Sequence, residues 1–254
     1  MKHLHALLLA ALLPLAAAAA DAPPALKQLV DNHAVLENSF PAVDGLTGWV
    51  VKLTDRRVIV YTTPSGAYVF GAPLVDKDGN NLTQQYFDKY VMAPQAESLA
   101  AALAKDLAMV EEGKPSAPLI YAYADPNCIY CNHLWTQLRP FLDSGKVRVR
   151  WVMVAFLKES SQGRSAAILA AKDKVAALAL DETKFDTEHE EGGIPPLSPV
   201  PPQVSAALLA HGEQLRQVGD PGTPLLLFRR AGQWALSAGL PKDMTAFISA
   251  LDPK

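Results

Sequence analysis

Cys128 and Cys131 are the whole cysteine content of this 254-residue chain, and Ile129 and Tyr130 separate them. Two intervening residues let a disulfide close with little backbone movement, so the pair can cycle between dithiol and disulfide. The surrounding sequence places the pair where a strand gives way to a helix. Leu119-Ile120-Tyr121-Ala122-Tyr123-Ala124 is an apolar run rich in strand formers, and Asp125-Pro126-Asn127 breaks it. Cys131, Leu134, Trp135 and Leu138 then recur at helical spacing. Both sulfurs therefore fall on the first turn of a helix, where free N–H groups and the positive end of the helix dipole stabilise a thiolate. The thiolate is the reactive form, which makes Cys128 the candidate nucleophile and Cys131 its resolving partner.

Two plainer readings share the spacing. Half of a zinc site has it, but a closed structural site needs about four ligands, and His133 is the one histidine near the pair in sequence. A purely structural bridge also has it, but closing so short a loop removes little unfolded-chain entropy. No metal and no separate cofactor are expected; the redox group is the disulfide itself.

The first twenty residues predict a secretory leader. Lys2 with His3 and His5 starts it, Leu4 to Leu15 is a short apolar core, and Ala18 and Ala20 give a small-x-small cleavage site. A membrane anchor is the competing reading, but the second half of the run is alanine and no positive stop-transfer flank follows. Removing residues 1–20 takes Lys2 and no acidic residue, leaving 22 basic against 26 acidic residues, a net charge of −4. There is no basic block or Arg/Lys stripe interleaved with aromatics, so no nucleic-acid partner is expected. Export suits a periplasm-like, oxidising space in which cysteine redox chemistry is sustained.

The elements that must position the pair read as an α+β chain. Residues 21–82 form a small unit: a helix from Ala25 to Leu36 with Leu26, Leu29, Val30 and His33 on one face, then short strands at 49–53, 58–61 and 68–70. About sixty residues bury little apolar area, so pairing with a second copy is plausible alongside a self-sufficient accessory domain. Residues 83–115 hold a long helix, with Leu99, Leu103, Leu107 and Val110 in one stripe and Gly113 and Pro115 at its end. That helix is a candidate rigid connector or an ordinary packed helix. Residues 116–254 run strand, helix (ending near Pro140), strand (147–154), helical stretch (about 160–218), hairpin and final helix (about 243–251). In the mostly helical stretch, Ser165 to Leu180 is Ala/Leu-rich, and the acidic run from Glu188 to Glu191 reads as a solvated face first and a partner surface second.

Gly222-Thr223-Pro224 opens the late strand, where a proline is tolerated because it need not donate to the ladder. From the residues alone a trans bond is the default. Asp125-Pro126-Asn127-Cys128-Ile129-Tyr130-Cys131, Trp135, Gly145-Lys146-Val147 and Gly222-Thr223-Pro224 together resemble the periplasmic disulfide isomerase and reductase family, thioredoxin-fold proteins of the DsbC/DsbG type. The stretches 62–66 and 82–90, and the lack of a second cysteine pair, look more like the DsbG branch. The resemblance spans the mature chain. It implies a cystatin-like N-terminal dimerisation domain, a linker helix and a C-terminal thioredoxin domain with a helical insertion. It also implies that Cys128 attacks, that Cys131 resolves, and that Thr223, a cis Pro224 and Tyr130 contact substrate. This chain departs from the pattern at Ile129, where DsbG proteins often carry proline.

The function expected is thiol–disulfide exchange on exported proteins: isomerisation, or reduction of disulfides and sulfenic acids. Two alternatives are a dithiol oxidase and a dimeric chaperone that works without redox chemistry. The resemblance implies a homodimer, client proteins bearing thiols, disulfides or sulfenic acids, and a membrane thiol reductase that keeps the pair reduced.

Overall fold

The computed structural model describes residues 22–54, 56–219 and 222–253. The leader expected over residues 1–20 lies outside them. The chain divides into two compact units, one ending at Gly79 and the other beginning at Asn80.

In the first unit, a 3-10 turn (Pro24–Leu26) and the short helix α1 (Lys27–Asp31) precede a four-stranded antiparallel sheet. Its strands are β1 (Val35–Pro41), β2 (Thr47–Lys52), β3 (Arg57–Thr62) and β4 (Val69–Phe70), in that spatial order. The helix expected to reach Leu36 stops at Asp31. His33 turns left-handed (φ 68°), and the Ala34 N–H closes onto the Leu29 carbonyl at 3.0 Å. Val35 and Leu36 then pair with Lys52 and Val51 across the sheet. Leu26, Ala34, Val51 and Val60 make a small buried core.

The second unit opens with α2 (Leu82–Phe87), a π-helical turn (Asp88–Met92) and α3 (Ala93–Leu103). The side chain of Asn81 accepts the Gln84 N–H at 3.0 Å and so caps α2. The long connector helix expected through Val110 ends at Leu103, and Val110–Gly113 is instead a strand, β5. The stretch 80–115 therefore belongs to the same compact unit as the reactive pair. Ala96, Leu99, Ala100 and Leu103 on α3 are buried in one cluster with Tyr121, Tyr123, Leu225 and Leu227 of the sheet. Burial accounts for Leu99 and Leu103 of the apolar stripe, while Leu107, beyond the end of the helix, is 84% exposed.

The second sheet has the order β5-β7-β6-β8-β9, with β6 (Leu119–Ala124) parallel to β7 (Arg148–Met153) and the other pairs, including those of β8 (Leu225–Arg230) and β9 (Gln233–Ala238), antiparallel. Its central strands alternate between two cores. Tyr121, Tyr123, Val152, Leu225 and Leu227 face the α3 side, while Ile120, Ala122, Val149, Trp151, Leu226 and Phe228 face the side shared with α4 (Ile129–Asp143). On α4, Leu134 and Leu138 are fully buried, and each contributes about 1.5–3 kcal/mol by leaving water. The helix runs through Pro140 rather than ending there. It closes at Gly145 (φ 71°), with the Lys146 N–H on the Phe141 carbonyl at 2.8 Å and the Gly145 N–H on that of Leu142 at 3.0 Å. Arg139 anchors its far half by a two-pronged pair to Glu112 of β5 at 2.7 and 2.8 Å. The same carboxylate accepts the Trp151 indole N–H at 2.7 Å.

Between β7 and β8 (Leu225–Arg230) the chain inserts α5 (Ser161–Ala170), α6 (Lys174–Thr183) and α7 (Pro202–Gln217). The Ala/Leu-rich stretch 165–180 falls on the first two of these helices. Ala171 is extended (ψ 144°), and Asp173 restarts the helix by accepting the Ala176 N–H at 3.0 Å. Ala231 and Gly232, at φ 51° and 78°, turn β8 into β9 (Gln233–Ala238), as a tight hairpin requires. Helix α8 (Met244–Ser249) ends the fold, and no described helix is long and apolar enough to cross a membrane. Strand, helix, parallel strand, helical insertion, hairpin and helix is the thioredoxin arrangement, within an α+β chain.

Candidate active site

The pair sits at the start of α4. Cys128 is the extended N-cap residue, and its Sγ accepts the Cys131 N–H at 3.1 Å. The two sulfurs are joined, with Cα atoms 5.1 Å apart. Cys131 is fully buried beneath the helix, while Cys128 keeps 4% of its surface. Access therefore favours Cys128. Among the described residues, no group of three histidines, cysteines or carboxylates is placed to hold a metal ion.

The late loop meets the pair from the opposite end of the sequence. The Thr223 carbonyl oxygen lies 3.5 Å from Cys128 Sγ. The Thr223–Pro224 peptide bond is cis, and Pro224 is buried where β8 begins. The Thr223 hydroxyl is also buried and has no hydrogen-bond partner among the described residues. Tyr130, between the cysteines, is 59% exposed, and its ring meets that of His133 edge-on with centroids 6.2 Å apart. The fold thus brings Cys128, Cys131 and Thr223 together, with Pro224 next in chain and Tyr130 at the surface.

Asp125 and Asn127, which in sequence break the strand and head the motif of the family resemblance, hold this loop. Asp125 is 1% exposed and accepts four hydrogen bonds. Oδ1 takes the Asn127 N–H at 3.0 Å and the Ser161 hydroxyl at 2.7 Å; Oδ2 takes the Phe156 and Leu157 N–H groups at 2.8 and 3.1 Å. Its carbonyl accepts the Cys128 N–H at 3.0 Å. Asn127, equally buried, donates to Ser160 and Ser161 and accepts the Gly192 N–H at 3.1 Å. The cysteine loop is thereby tied to the helical insertion. The signal was available: polar residues wedged between a buried strand and a buried helix must find partners.

A second buried polar group lies behind α4. Asn132, the residue after Cys131, donates to the Glu182 carbonyl at 2.7 Å and to its Oε2 at 2.9 Å. Burial pushes the Glu182 carboxyl up to about 8, with neighbouring Asp181 adding to the shift. Burial likewise raises Asp181 to about 7, against the lowering effect of the Ile194 N–H and of Arg164. Both groups hold protons more tightly folded than unfolded. Their stabilisation is complete below the unfolded range near about 4 and drains away as pH rises to about 8. Glu182→Gln keeps an acceptor for Asn132 and removes the titration. Its urea midpoint should gain on the wild type between pH 5 and pH 9, whereas a gap that stays constant with pH would refute the assignment.

Known proteins resemble this chain over most of its length. Residues 15–84 match the family model of the disulfide bond isomerase protein N-terminal domain. The thiol:disulfide interchange protein DsbG of Pseudomonas aeruginosa is 32% identical over 234 residues, 90% of this chain and 88% of that protein. DsbG of Escherichia coli K12 is 30% identical over 250 residues, 96% of this chain and 98% of that protein. Among solved structures, the catalytic domain of Proteus mirabilis ScsC overlays with a TM-score of 0.50 at 21% identity, covering 62% of this chain and 96% of that one, a likeness of fold alone. With two relatives at this identity matched over nearly their whole length, the chain belongs to the DsbG family of thiol:disulfide interchange proteins.

Proposed function

We propose that this protein performs thiol–disulfide exchange on exported proteins as an isomerase and reductase, with Cys128 attacking and Cys131 resolving. The observation that carries the reading is the less buried sulfur, Cys128, held at the N-cap of α4 against the Thr223 carbonyl. In the reduced protein the Cys131 N–H and the helix dipole favour a thiolate at Cys128. The thiolate attacks one sulfur of a client disulfide, the other client sulfur leaves as a thiolate, and a mixed disulfide forms. Cys131 then attacks Cys128 Sγ and releases the client thiol, which leaves the client reduced by two electrons and the pair oxidised. With a sulfenic acid, hydroxide leaves instead and takes up a proton as water. In isomerisation, a second client thiol resolves the mixed disulfide and the pair stays reduced. An extended client segment lies along the Thr223 backbone as an added strand.

Two copies pair through the N-terminal unit in this reading. Its core of Leu26, Ala34, Val51 and Val60 is small, and Val35, Tyr68 and Val75 remain exposed. The leader expected over residues 1–20 directs the chain to the periplasm, and a membrane thiol reductase resets the pair. The test is the oxidation state in the intact compartment, read by acid quenching and mass-tag alkylation. A reductase or isomerase is found mostly with Cys128 and Cys131 reduced; a pair found mostly oxidised would mean a dithiol oxidase.

A further inference from the structure

We infer that Glu182, on the helical insertion, is a positioning residue for the second half of the exchange: through Asn132 it fixes the turn of α4 that presents Cys131 to Cys128. The inference rests on Cys128 attacking and Cys131 resolving. Once the pair is reduced, no covalent bond joins the two sulfurs, and the resolving attack depends on the backbone that carries them. Asn132 is a joint in that backbone. It follows Cys131 directly in the chain, and its N–H bonds to the Cys128 carbonyl at 3.1 Å. Its side-chain amide is gripped at two points of one residue, the Glu182 carbonyl at 2.7 Å and the carboxyl Oε2 at 2.9 Å. Two acceptors for one NH2 group hold the side chain in a single orientation.

The grip has a counterpart on the other side of the cysteines. The Gly193 N–H bonds to the Asp181 carbonyl at 2.9 Å, and the Gly192 N–H bonds to Asn127 Oδ1 at 3.1 Å. The end of α6 and the loop folded onto it therefore hold both the residue before Cys128 and the residue after Cys131. Packing alone does not require a polar pair there. Asn132 and Glu182 are 9% and 5% exposed, and apolar side chains would fill such a space at less desolvation cost. The carboxyl also gives the grip a pH dependence. Burial pushes Glu182 up to about 8; Asn132 and Arg139 of α4 oppose the shift, while Asp181 and, on β5, Glu112 add to it. Arg164 of α5 and Asp125 act on Asp181 beside it. Above that pH a buried negative charge lies against the side chain next to Cys131. Cys131 attacks as a thiolate, and a like charge nearby disfavours that form.

The test is a stopped-flow reaction of the reduced full-length protein with the symmetrical disulfide of thionitrobenzoate. Cys128 attacks it and releases one coloured thionitrobenzoate, in a phase whose rate scales with reagent concentration. Cys131 then gives its proton to solvent, attacks Cys128 Sγ and releases the second, in a phase independent of that concentration. At about pH 6.5, Asn132→Ala and Glu182→Ala should slow the second phase about tenfold and leave the first within about twofold, because only the placement of Cys131 is lost. Glu182→Gln keeps an acceptor for Asn132 and should match the wild type at that pH. At about pH 9 its second phase should outrun that of the wild type about threefold, because it cannot acquire the charge. Alanine variants that slow both phases together or neither, or a Gln-to-wild-type ratio that stays flat with pH, overturn the assignment. If the alanine variants do not fold, the pH trend of that ratio decides alone. A wild type that releases no thionitrobenzoate would instead defeat the exchange function itself.

Discussion

Replacing Asp125 with alanine should destabilise the C-terminal unit by about 3–5 kcal/mol, as expected when several buried donors lose their acceptor at once. Three backbone N–H groups and the Ser161 hydroxyl converge on this one carboxylate, which is 1% exposed. Water can replace the acceptor for Phe156 and Leu157 more readily than for Asn127 and Ser161, because the first two lie at the surface and the others do not. Asp125→Asn is informative beside it. An amide keeps one acceptor but turns an NH2 group toward donors, so it should recover only part of the loss. Urea unfolding followed by tryptophan fluorescence measures both variants. An alanine variant within about 1 kcal/mol of wild type would show that the hydrogen bonds add nothing beyond what water supplies.

Much of this site was legible because its pattern is local. The apolar strand, the cysteines at the helix start and the stripe of Leu134, Trp135 and Leu138 all lie within twenty consecutive residues, and the structure places them as β6 and α4. The hairpin β8–β9 was legible for the same reason: an apolar run, a turn containing Gly232, and a second run. What could not be read depends on partners distant in sequence. Val110–Gly113 looks like the end of a helix because Glu111 and Glu112 are helix formers. Only Arg139 and Trp151, far along the chain, make Glu112 an inward strand residue.

Helix α6 inverts the usual expectation. Leu180 is 44% exposed, while Asp181 and Glu182 next to it are buried. The two acids share a face with buried Leu178 at spacings of three and four, and the Ile194 N–H and Asn132 meet them there. Composition alone would turn that helix the other way. The meeting of Thr223 with Cys128, ninety-five positions apart, came from the family resemblance and not from any local pattern.

Changing Cys128 to alanine should lower exchange with client disulfides by about a thousandfold or more, to the spontaneous background, as loss of a nucleophile does. No other described cysteine can take its place, since Cys131 is fully buried and is the only other one in the chain. Changing Cys131 to alanine should have a different effect. The first attack survives, because Cys128 keeps its N-cap position and the residue 131 backbone N–H still points at its sulfur. Release fails, because the resolving thiol is gone.

The most direct test of this division of roles is to express the Cys131→Ala variant in its own compartment, isolate it without reductant, and map its disulfides by mass spectrometry. Cys128 should be found linked to cysteines of several exported proteins, and the matching Cys128→Ala preparation should carry no such links. If the Cys128→Ala protein, with only Cys131 left, captured clients equally well, Cys128 would not be the attacking sulfur.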